Sequence, residues 1–380
     1  MKVVGVIAEL NPFHEGHAYL LESIRKERGA DAIILVMSTD FVQRGEPAIL
    51  PYHRRVHDAL ENGADLILSL PVRWSLASAE SFAFGAVATL LSTGLIDEIV
   101  CGTEGELDNT FLQDISEYLL MEPEEYKIKL QAALKTGLSF PKARLLALSN
   151  QFDGNRLTFL QSANNILATE YRKALHHFHS HCTLTGIPRK AGYSAHQKRE
   201  RMVMEKQEAI LPDDFTATLH YSHWFHTHIL HTSPYDKDSE FNKELFNRYC
   251  NQITPQHSLT QIIQTLKTKQ YTYTRISRIL FRYLLCLPYN NEKGSLADYA
   301  PYLRVLGFRR DSKNLLSLLL QHAKVPVIKK LANDEKKLTK DGQILLQQEL
   351  SAQALYQSVA GQKYPHWQLK NAYETGMIIV

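Results

Sequence analysis

The chain has 380 residues, of which 44% are hydrophobic and 22% charged, the composition of an ordinary folded protein that can bury a full core. Its net charge of +3 is small, so composition alone does not indicate a protein that binds nucleic acid. No apolar run approaches the roughly 20 residues of a membrane span, and Met1 leads into an apolar stretch in place of a signal peptide. We therefore expect a cytoplasmic protein with no membrane partner. The four cysteines form no CxxC pair, so we expect reduced thiols.

The first predicted element is a strand, residues 3–7, whose β-branched residues are typical of a parallel strand that is covered on both faces. Asn11-Pro12 ends this segment, and His14 and His17 follow at the start of an amphipathic helix. A helix N-terminus favours phosphate because it presents free N–H groups and the positive end of the helix dipole. Two imidazoles there can donate to a phosphoryl group, and Gly16 lets the backbone approach it closely. The alternative is that both histidines only cap the helix.

A second buried strand is predicted at residues 32–37, and it leads into a loop, residues 38–47, that is rich in ligand-binding side chains. Ligands of open parallel sheets bind beyond the carboxyl ends of the strands. The loop should therefore face the histidine segment across one crevice. Within the loop, Arg44 is a candidate clamp for a phosphate or a carboxylate.

Two segments resemble the bacterial tRNA(Met) cytidine acetate ligase family, which falls within the HIGH-type nucleotidyltransferase superfamily. They are residues 8–17, AELNPFHEGH, and residues 41–48, FVQRGEPA. With this resemblance, catalytic roles are expected for His14, His17 and Arg44. ATP binding is expected for the residues around the signature, which are Ile7, Ala8, Glu9, Asn11, Pro12, Phe13 and Gly16. The chain departs from the family at residues 38–40, where Ser-Thr-Asp replaces the usual Ser-Gly-Asn.

Strands and helices continue to alternate after this loop. A helix at 52–62 precedes a strand at 65–70, and a helix of small residues at 78–88 precedes a strand at 98–101. This order predicts an α/β fold with a Rossmann-like doubly wound parallel sheet of the nucleotidyltransferase type. Residues 105–160 are predicted to form a solvated helical insertion.

Further positions match the nucleotide-binding pattern of the family. Gly102 follows a strand where the family has a turn that contacts ATP, although a glycine there can also be only a turn. Asn164 and Asn165 begin an amphipathic helix, and they either cap it or hold the nucleotide as the family's Asn-Asn-Ile-Leu motif does. Arg189 stands where the family uses an arginine on ATP, and its charged fork suits a triphosphate. The basic residues at 198–199 are weaker phosphate candidates.

Two histidine-rich stretches, residues 176–182 and 223–231, raise the question of a metal site. Some of their spacings would place two imidazoles on one helix face. Neither stretch contains a carboxylate or a second cysteine at ligand distance. We therefore predict surface or partner-contacting histidines and no metal site built by the chain itself.

Residues 1–195 are predicted to form the ATP-binding catalytic domain and residues 196–380 a mainly helical, basic domain. The most informative stretch of the second half, residues 267–282, has no acidic residue, and its arginines recur at helical spacing. Basic side chains interleaved with tyrosines suit RNA, whereas a solvated helix face is the alternative. The residues that we expect to bind RNA are Lys267, Lys269, Arg275, Arg278 and Arg282.

The resemblance implies a two-step reaction that uses ATP, accompanied by Mg²⁺, together with acetate and tRNA. Acetate attacks the α-phosphate of ATP to give acetyladenylate and pyrophosphate, and N4 of the wobble cytidine of elongator tRNA(Met) then takes the acetyl group. A small-molecule adenylyl- or cytidylyltransferase of coenzyme biosynthesis would not need a basic helical half. A non-catalytic, nucleotide-gated RNA-binding protein is a third hypothesis, against which the intact histidine pair argues. The sequence does not identify the base that deprotonates the cytidine amine, nor the oligomeric state.

Overall fold

The computed structural model describes residues 1–190, 195–211, 215–231, 240–288 and 294–380. Within these ranges there are ten β-strands: β1 (Val3–Ile7), β2 (Ala32–Ser38), β3 (Phe41–Val42), β4 (Glu46–Pro47), β5 (Leu66–Leu70), β6 (Glu98–Thr103), β7 (Thr183–Pro188), β8 (Leu303–Phe308), β9 (Val327–Ile328) and β10 (Ile378–Ile379).

The same described ranges also contain eighteen α-helices. They are α1 (Glu15–Arg28), α2 (Tyr52–Glu61), α3 (Val72–Ser75), α4 (Ala79–Ser92), α5 (Asn109–Met121), α6 (Glu124–Lys135), α7 (Phe140–Leu148), α8 (Gly154–Leu157), α9 (Ala163–His177), α10 (Ala195–Met204), α11 (Phe215–His231), α12 (Lys243–Gln252), α13 (Leu259–Leu266), α14 (Tyr273–Leu284), α15 (Leu296–Tyr299), α16 (Lys313–His322), α17 (Leu331–Asp334) and α18 (Lys340–Lys363). Short 3₁₀ turns occur at Thr158–Gln161, Arg310–Ser312 and Glu335–Lys337. None of the helices described here has the length and apolar character needed to cross a membrane.

A mixed, mostly parallel sheet of eight strands forms the centre of the molecule, in the order β10-β8-β5-β2-β1-β6-β7, with β9 beside β8. The five strands from β5 to β7 in this order pair in parallel. Every residue of β1, β2 and β5 is buried, as expected for strands that are covered by helices on both faces. The predicted α/β fold with a doubly wound parallel sheet is therefore confirmed.

The sheet also takes a strand from the second half of the chain, where the sequence predicted mainly helices. β8 is antiparallel to β5 and fully buried, and β9 and β10 both pair with it. A search for strand-helix-strand alternation misses such a strand because it joins the sheet antiparallel to its neighbour. The division into two domains at residue 195 stays a prediction, but the sheet continues across that boundary.

A second apolar core lies among α11, α12, α13, α14 and α18, and the loop after β2 contributes to it. The ring of Phe41, in β3, lies with its centroid 4.9 Å from that of Phe281 and 6.2 Å from that of Tyr221. Phe41 is completely buried there. The loop that carries the predicted ligand-binding residues is thus anchored in the helical half by its own apolar side chains.

Candidate active site

A cleft of about 580 Å³ lies at the carboxyl ends of β1, β6 and β7 and beside the loop after β2. The predicted crevice between the histidine segment and that loop is present, since both segments line the cleft. Eleven of the residues that were predicted to bind ATP or to act in catalysis line it: Ile7, Ala8, Glu9, Asn11, His14, Gly16, His17, Arg44, Gly102, Asn164 and Arg189.

Three predicted ATP-binding residues are not part of this lining. Pro12 and Asn165 are buried beside the cleft. Phe13 packs its ring against that of His17, with 5.6 Å between the centroids. These three residues lie beside the cleft, whereas the eleven others line it.

His14 and His17 cap α1 with reciprocal hydrogen bonds. Nδ1 of His14 accepts from the backbone N–H of Gly16 at 3.0 Å, and Nδ1 of His17 accepts from the backbone N–H of His14 at 3.2 Å. The two rings stack with their centroids 3.8 Å apart. The histidines therefore do cap the helix, but capping uses only one nitrogen of each ring and leaves the other nitrogen for a ligand.

Both imidazoles are neutral at neutral pH. Burial lowers the pKa of His14 to about 4 and that of His17 to about 3, and the charge of Arg189 contributes to both shifts. Because Nδ1 of each ring accepts a backbone hydrogen bond, each neutral ring carries its hydrogen on Nε2. Each histidine is thus a preorganised hydrogen-bond donor with no charge of its own.

Glu104, to which the sequence analysis gave no role, organises the opposite side of the cleft. Its Oε1 accepts from Nδ2 of Asn164 at 2.9 Å and from Nη1 of Arg189 at 3.2 Å. Asn165 fixes the same turn, since its Oδ1 accepts from the Glu104 N–H at 3.0 Å and its Nδ2 donates to the Glu104 carbonyl at 3.1 Å. The asparagines therefore do not cap α9. Its N-cap residue is Ser162, which makes no side-chain capping bond.

Glu9 is the acidic residue among the described residues that line the cleft. Its Oε1 accepts from the backbone N–H of Gln43 at 2.6 Å and from the Ser38 hydroxyl at 3.4 Å. Burial raises the pKa of the Glu9 carboxyl, and the Gln43 hydrogen bond and the charge of Arg55 oppose that effect only in part. Glu9 is therefore a fixed carboxyl group with more affinity for a proton than an exposed glutamate has.

Arg55, on α2, holds the loops around Glu9 and was also missed by the sequence analysis. Its buried guanidinium donates to the carbonyls of Leu50 at 3.0 Å, Glu9 at 2.7 Å and Ser38 at 3.0 Å, and also to that of Thr39. These bonds join the segment after β1 to the segment after β2. An arginine on an amphipathic helix usually faces solvent, so the sequence carried no signal for this role.

The residues at which the chain departs from the family pattern do not line the cleft. Thr39 and Asp40 are both buried. Burial raises the pKa of Asp40 to about 6, and the neighbouring charges of Arg55 and Arg304 act in the opposite direction. The departure therefore lies beneath the loop and not among the residues that line the cleft.

The basic residues at the rim of the cleft differ in what they contact. Arg44 is exposed and lines the cleft. Arg199, one of the weaker candidates, also lines the cleft, but its Nε and Nη2 donate to the Asn11 carbonyl at 3.3 and 3.0 Å. Lys190 lies over the ring of Tyr19, with 4.0 Å between Nζ and the ring centroid. Residues 191–194 lie outside the described residues.

The five predicted RNA-binding residues fall into two groups. Three are exposed, namely Lys267, Lys269 and Arg275. Arg278 is half-buried and donates from Nη1 to the Gln43 carbonyl at 3.1 Å. Arg282 is 8% exposed and donates to the Arg73 carbonyl at 2.9 Å. The prediction that Arg282 binds RNA is therefore wrong. Helical spacing placed Arg282 on the basic face of α14, but that part of the face packs against the first half of the chain.

The histidine-rich stretches show ordinary contacts. Nε2 of His176 lies 2.9 Å from Oε1 of Glu117, and Nδ1 of His226 lies 2.7 Å from the hydroxyl of Tyr249. Over the described ranges, no group of three or more His, Cys, Asp or Glu side chains is arranged to hold a metal ion. The side chain of His231 lies outside the described residues, so the absence of a metal site stays a prediction.

Comparison with known proteins agrees with this geometry over nearly the whole chain. A family model described as HIGH Nucleotidyl Transferase matches residues 1–205 and 199–371. The tRNA(Met) cytidine acetate ligase of Clostridium acetobutylicum is 34% identical over 368 positions, which cover 88% of this chain and 91% of that protein. The protein of the same name from a Thermoanaerobacter species is 32% identical and covers 96% of this chain and 99% of its own.

Solved structures of a relative agree as well. The crystal structure of Thermotoga maritima TmcAL bound with alpha-thio ATP superimposes with a TM-score of 0.83 at 28% identity, and the match covers 100% of both chains. The apo form of that protein gives the same TM-score of 0.83 at 27% identity. The chain therefore belongs to the tRNA(Met) cytidine acetate ligase family of HIGH-type nucleotidyltransferases.

Proposed function

We propose that this protein is an ATP-dependent ligase that activates acetate as acetyladenylate and transfers the acetyl group to N4 of the wobble cytidine of elongator tRNA(Met). The observation that carries the proposal is the pair of neutral histidines at the N-terminus of α1, in a cleft shared with Arg44 and Arg189. The tRNA(Met) cytidine acetate ligases of Clostridium acetobutylicum and of the Thermoanaerobacter species match this chain over at least nine tenths of their own length, which supports extending the activity to this chain.

In the first step, the protein binds phosphate and stabilises charge, and it needs no nucleophile of its own. His14 and His17 donate from Nε2 to oxygens of the triphosphate and to the charge that develops on departing pyrophosphate. The guanidinium groups of Arg44 and Arg189 neutralise the remaining charge. Cys101 also lines the cleft, but burial raises the pKa of its thiol to about 12, so it stays protonated and does not act as a nucleophile.

The nucleotide is proposed to lie between α1 and the turn after β6. Gly102, Asn164 and Arg189 line that side of the cleft, and Glu104 fixes the last two in place. The relative bound with alpha-thio ATP supports a nucleotide here. Mg²⁺ would be held mainly by phosphate oxygens and water, because Glu9 is the sole carboxylate among the described residues that line the cleft.

The tRNA is proposed to contact the exposed part of the basic stretch. Lys267, Lys269 and Arg275 present their charge to solvent, and Arg275 lies 4.9 Å from the ring centroid of Tyr271. Phosphate pairing by such side chains gives affinity for RNA without reading its sequence. A tRNA substrate would also support the proposal that the protein acts in the cytoplasm.

The decisive experiment is acetate-dependent exchange of labelled pyrophosphate into ATP, followed by transfer of labelled acetate to tRNA(Met). We expect exchange that requires acetate, and transfer that is lost when the wobble cytidine of the transcript is replaced by uridine. Exchange that proceeds equally well without acetate would contradict carboxylate activation. Transfer to the uridine transcript would contradict the assigned acceptor.

A further inference from the structure

The second step of the proposed reaction requires a proton acceptor. The exocyclic amine of cytidine is a weak nucleophile, because its lone pair is delocalised into the ring. Its nitrogen becomes strongly acidic as the bond to the acetyl carbon forms, so a positioned base accelerates the step. This inference rests on the proposed function and identifies the residue that takes the proton.

Most titratable groups of the cleft are poor acceptors. In His14 and His17, Nδ1 is occupied by a backbone N–H and Nε2 carries the hydrogen. Burial raises the pKa of both the Cys101 thiol and the Tyr171 hydroxyl, so both groups remain protonated. Among the described residues that line the cleft, Glu9 is the one that carries a carboxylate.

The two oxygens of the Glu9 carboxylate have different surroundings. Oε1 accepts from the Gln43 N–H at 2.6 Å and from the Ser38 hydroxyl at 3.4 Å. No hydrogen bond to Oε2 is found within the described part of the chain. Arg55 holds the Glu9 backbone through its carbonyl at 2.7 Å. One oxygen thus fixes the side chain, and the other is left as an acceptor.

We propose that Glu9 is the general base of acetyl transfer. N4 of the cytidine attacks the carbonyl carbon of acetyladenylate, and Oε2 of Glu9 accepts the proton that the nitrogen loses. The N–C bond forms while the C–O bond to the phosphate breaks, and that electron pair leaves on the phosphate of AMP. Glu9 then releases the proton to solvent, and the carboxylate is restored.

Charged and titratable groups from several elements surround this carboxylate. Arg55 on α2, Arg44 on the loop after β3 and Arg199 on α10 bring positive charge near Glu9, and Tyr171 on α9 also interacts with it. The net effect is a pKa raised by burial. The transfer rate should therefore rise with pH as Glu9 ionises and then become constant.

The test is the Glu9→Gln variant, in which a carbonyl oxygen can still accept from the Gln43 N–H. Acetyl transfer to tRNA(Met) is measured in a single turnover and compared with pyrophosphate exchange on the same preparation. Loss of a general base typically costs about 10²- to 10⁴-fold. We expect transfer to fall at least about 100-fold further than exchange, and the acidic limb of the rate-pH profile to disappear. Glu22→Gln, an exposed change on α1, is the matched control.

Four results would overturn the assignment. Equal losses of exchange and transfer, or a raised KM for ATP with unchanged transfer, would show that Glu9 positions the nucleotide. An unchanged acidic limb in the variant would show that another group is the base. Should the variant fail to fold, a transfer rate of the parent protein that does not vary with pH would also contradict the proposal. Absence of acetate-dependent exchange in the parent protein would instead refute the proposed function itself.

Discussion

Individual side chains in this cleft are held by bonds that leave one atom of each group for the ligand. The histidine pair uses Nδ1 for the helix and keeps the hydrogen on Nε2, and Glu9 uses Oε1 for the loop. The sequence predicted the histidines because their spacing and helix N-terminal position are local features. It missed Arg55 and Glu104 because their partners are brought to them only by the fold.

The first prediction concerns His17→Ala. Removing one preorganised donor to a developing charge costs roughly 10²- to 10³-fold in rate, so acetate-dependent pyrophosphate exchange should fall by about that factor. Loss of the bond to the His14 N–H should lower the free energy of unfolding by about 1 kcal/mol. Exchange kinetics and urea unfolding measure the two effects.

His57→Ala is the matched control, because that histidine is exposed on α2. Its Nε2 lies 3.8 Å from Oε1 of Glu61. It should leave both the exchange rate and the stability nearly unchanged. Exchange retained in the His17 variant would remove the catalytic assignment.

Among the secondary-structure elements, α14 is one that joins the helical half to the loop after β2. The sequence predicted its helix and its basic face, since both follow from residue spacing. Spacing does not reveal which neighbour covers a face, and for this reason Arg278 was assigned to RNA although it donates to the Gln43 carbonyl. Ser277 donates to the Gly45 carbonyl from the same helix. α14 therefore supports the loop whose Gln43 N–H holds Glu9.

The second prediction concerns Gly45→Ala, at the place where the loop meets α14. Gly45 has φ +78°, and a Cβ atom would come within 2.5 Å of the Arg278 nitrogen, which belongs to the backbone and cannot move aside. A positive φ alone costs an alanine about 1 to 2 kcal/mol, and displacement of α14 adds to this. We expect the free energy of unfolding to fall by more than about 3 kcal/mol, with slower pyrophosphate exchange. Urea unfolding and exchange kinetics provide the measurements.

Gly137→Ala isolates the backbone effect, because Gly137 has φ +86° and nothing lies within 4 Å of its added Cβ. The free energy of unfolding of the Gly137 variant should fall by only about 1 to 2 kcal/mol, and its rate of pyrophosphate exchange should not change. Equal destabilisation of the two variants would argue against tight packing between α14 and the loop.

The third prediction addresses the exposed basic residues of α14 and of the segment between α13 and α14. Replacing Lys267, Lys269 and Arg275 by alanine should weaken tRNA binding. The slope of log K against log salt should become shallower by roughly 0.7 to 0.9 for each phosphate that the variant no longer neutralises. Titration of tRNA(Met) at several salt concentrations measures both quantities.

Removing the same number of charges from α6, at Lys127, Lys129 and Lys135, is the control. If both triple variants bound tRNA as tightly as the parent protein does, the exposed face would be only solvated.

At the scale of the whole molecule, a buried ion pair joins the sheet to the helical half. Glu349 on α18 is completely buried and accepts from Nη1 of Arg304 on β8 at 2.8 Å and from the Tyr302 hydroxyl at 2.9 Å. Ser69 on β5 also donates to it. The sequence indicated the alternating first half correctly, but it gave no sign of β8 or of this ion pair. β8 pairs with a strand about 240 residues away, and the ion pair joins residues 45 positions apart in the chain, so neither follows from a local pattern.

The last prediction concerns this ion pair. Removing one partner of a buried ion pair leaves an uncompensated charge and typically costs about 3 to 5 kcal/mol, so Glu349→Ala should lower the free energy of unfolding by about that amount. Replacing both partners by apolar residues, as in Arg304→Met with Glu349→Leu, should cost less than Glu349→Ala alone, since no charge then remains buried. Because α18, β8 and β5 meet here, we expect the sheet and the helical half to unfold in one cooperative transition in urea. Two separate transitions, of which only one responds to Glu349→Ala, would show instead that the two halves fold independently.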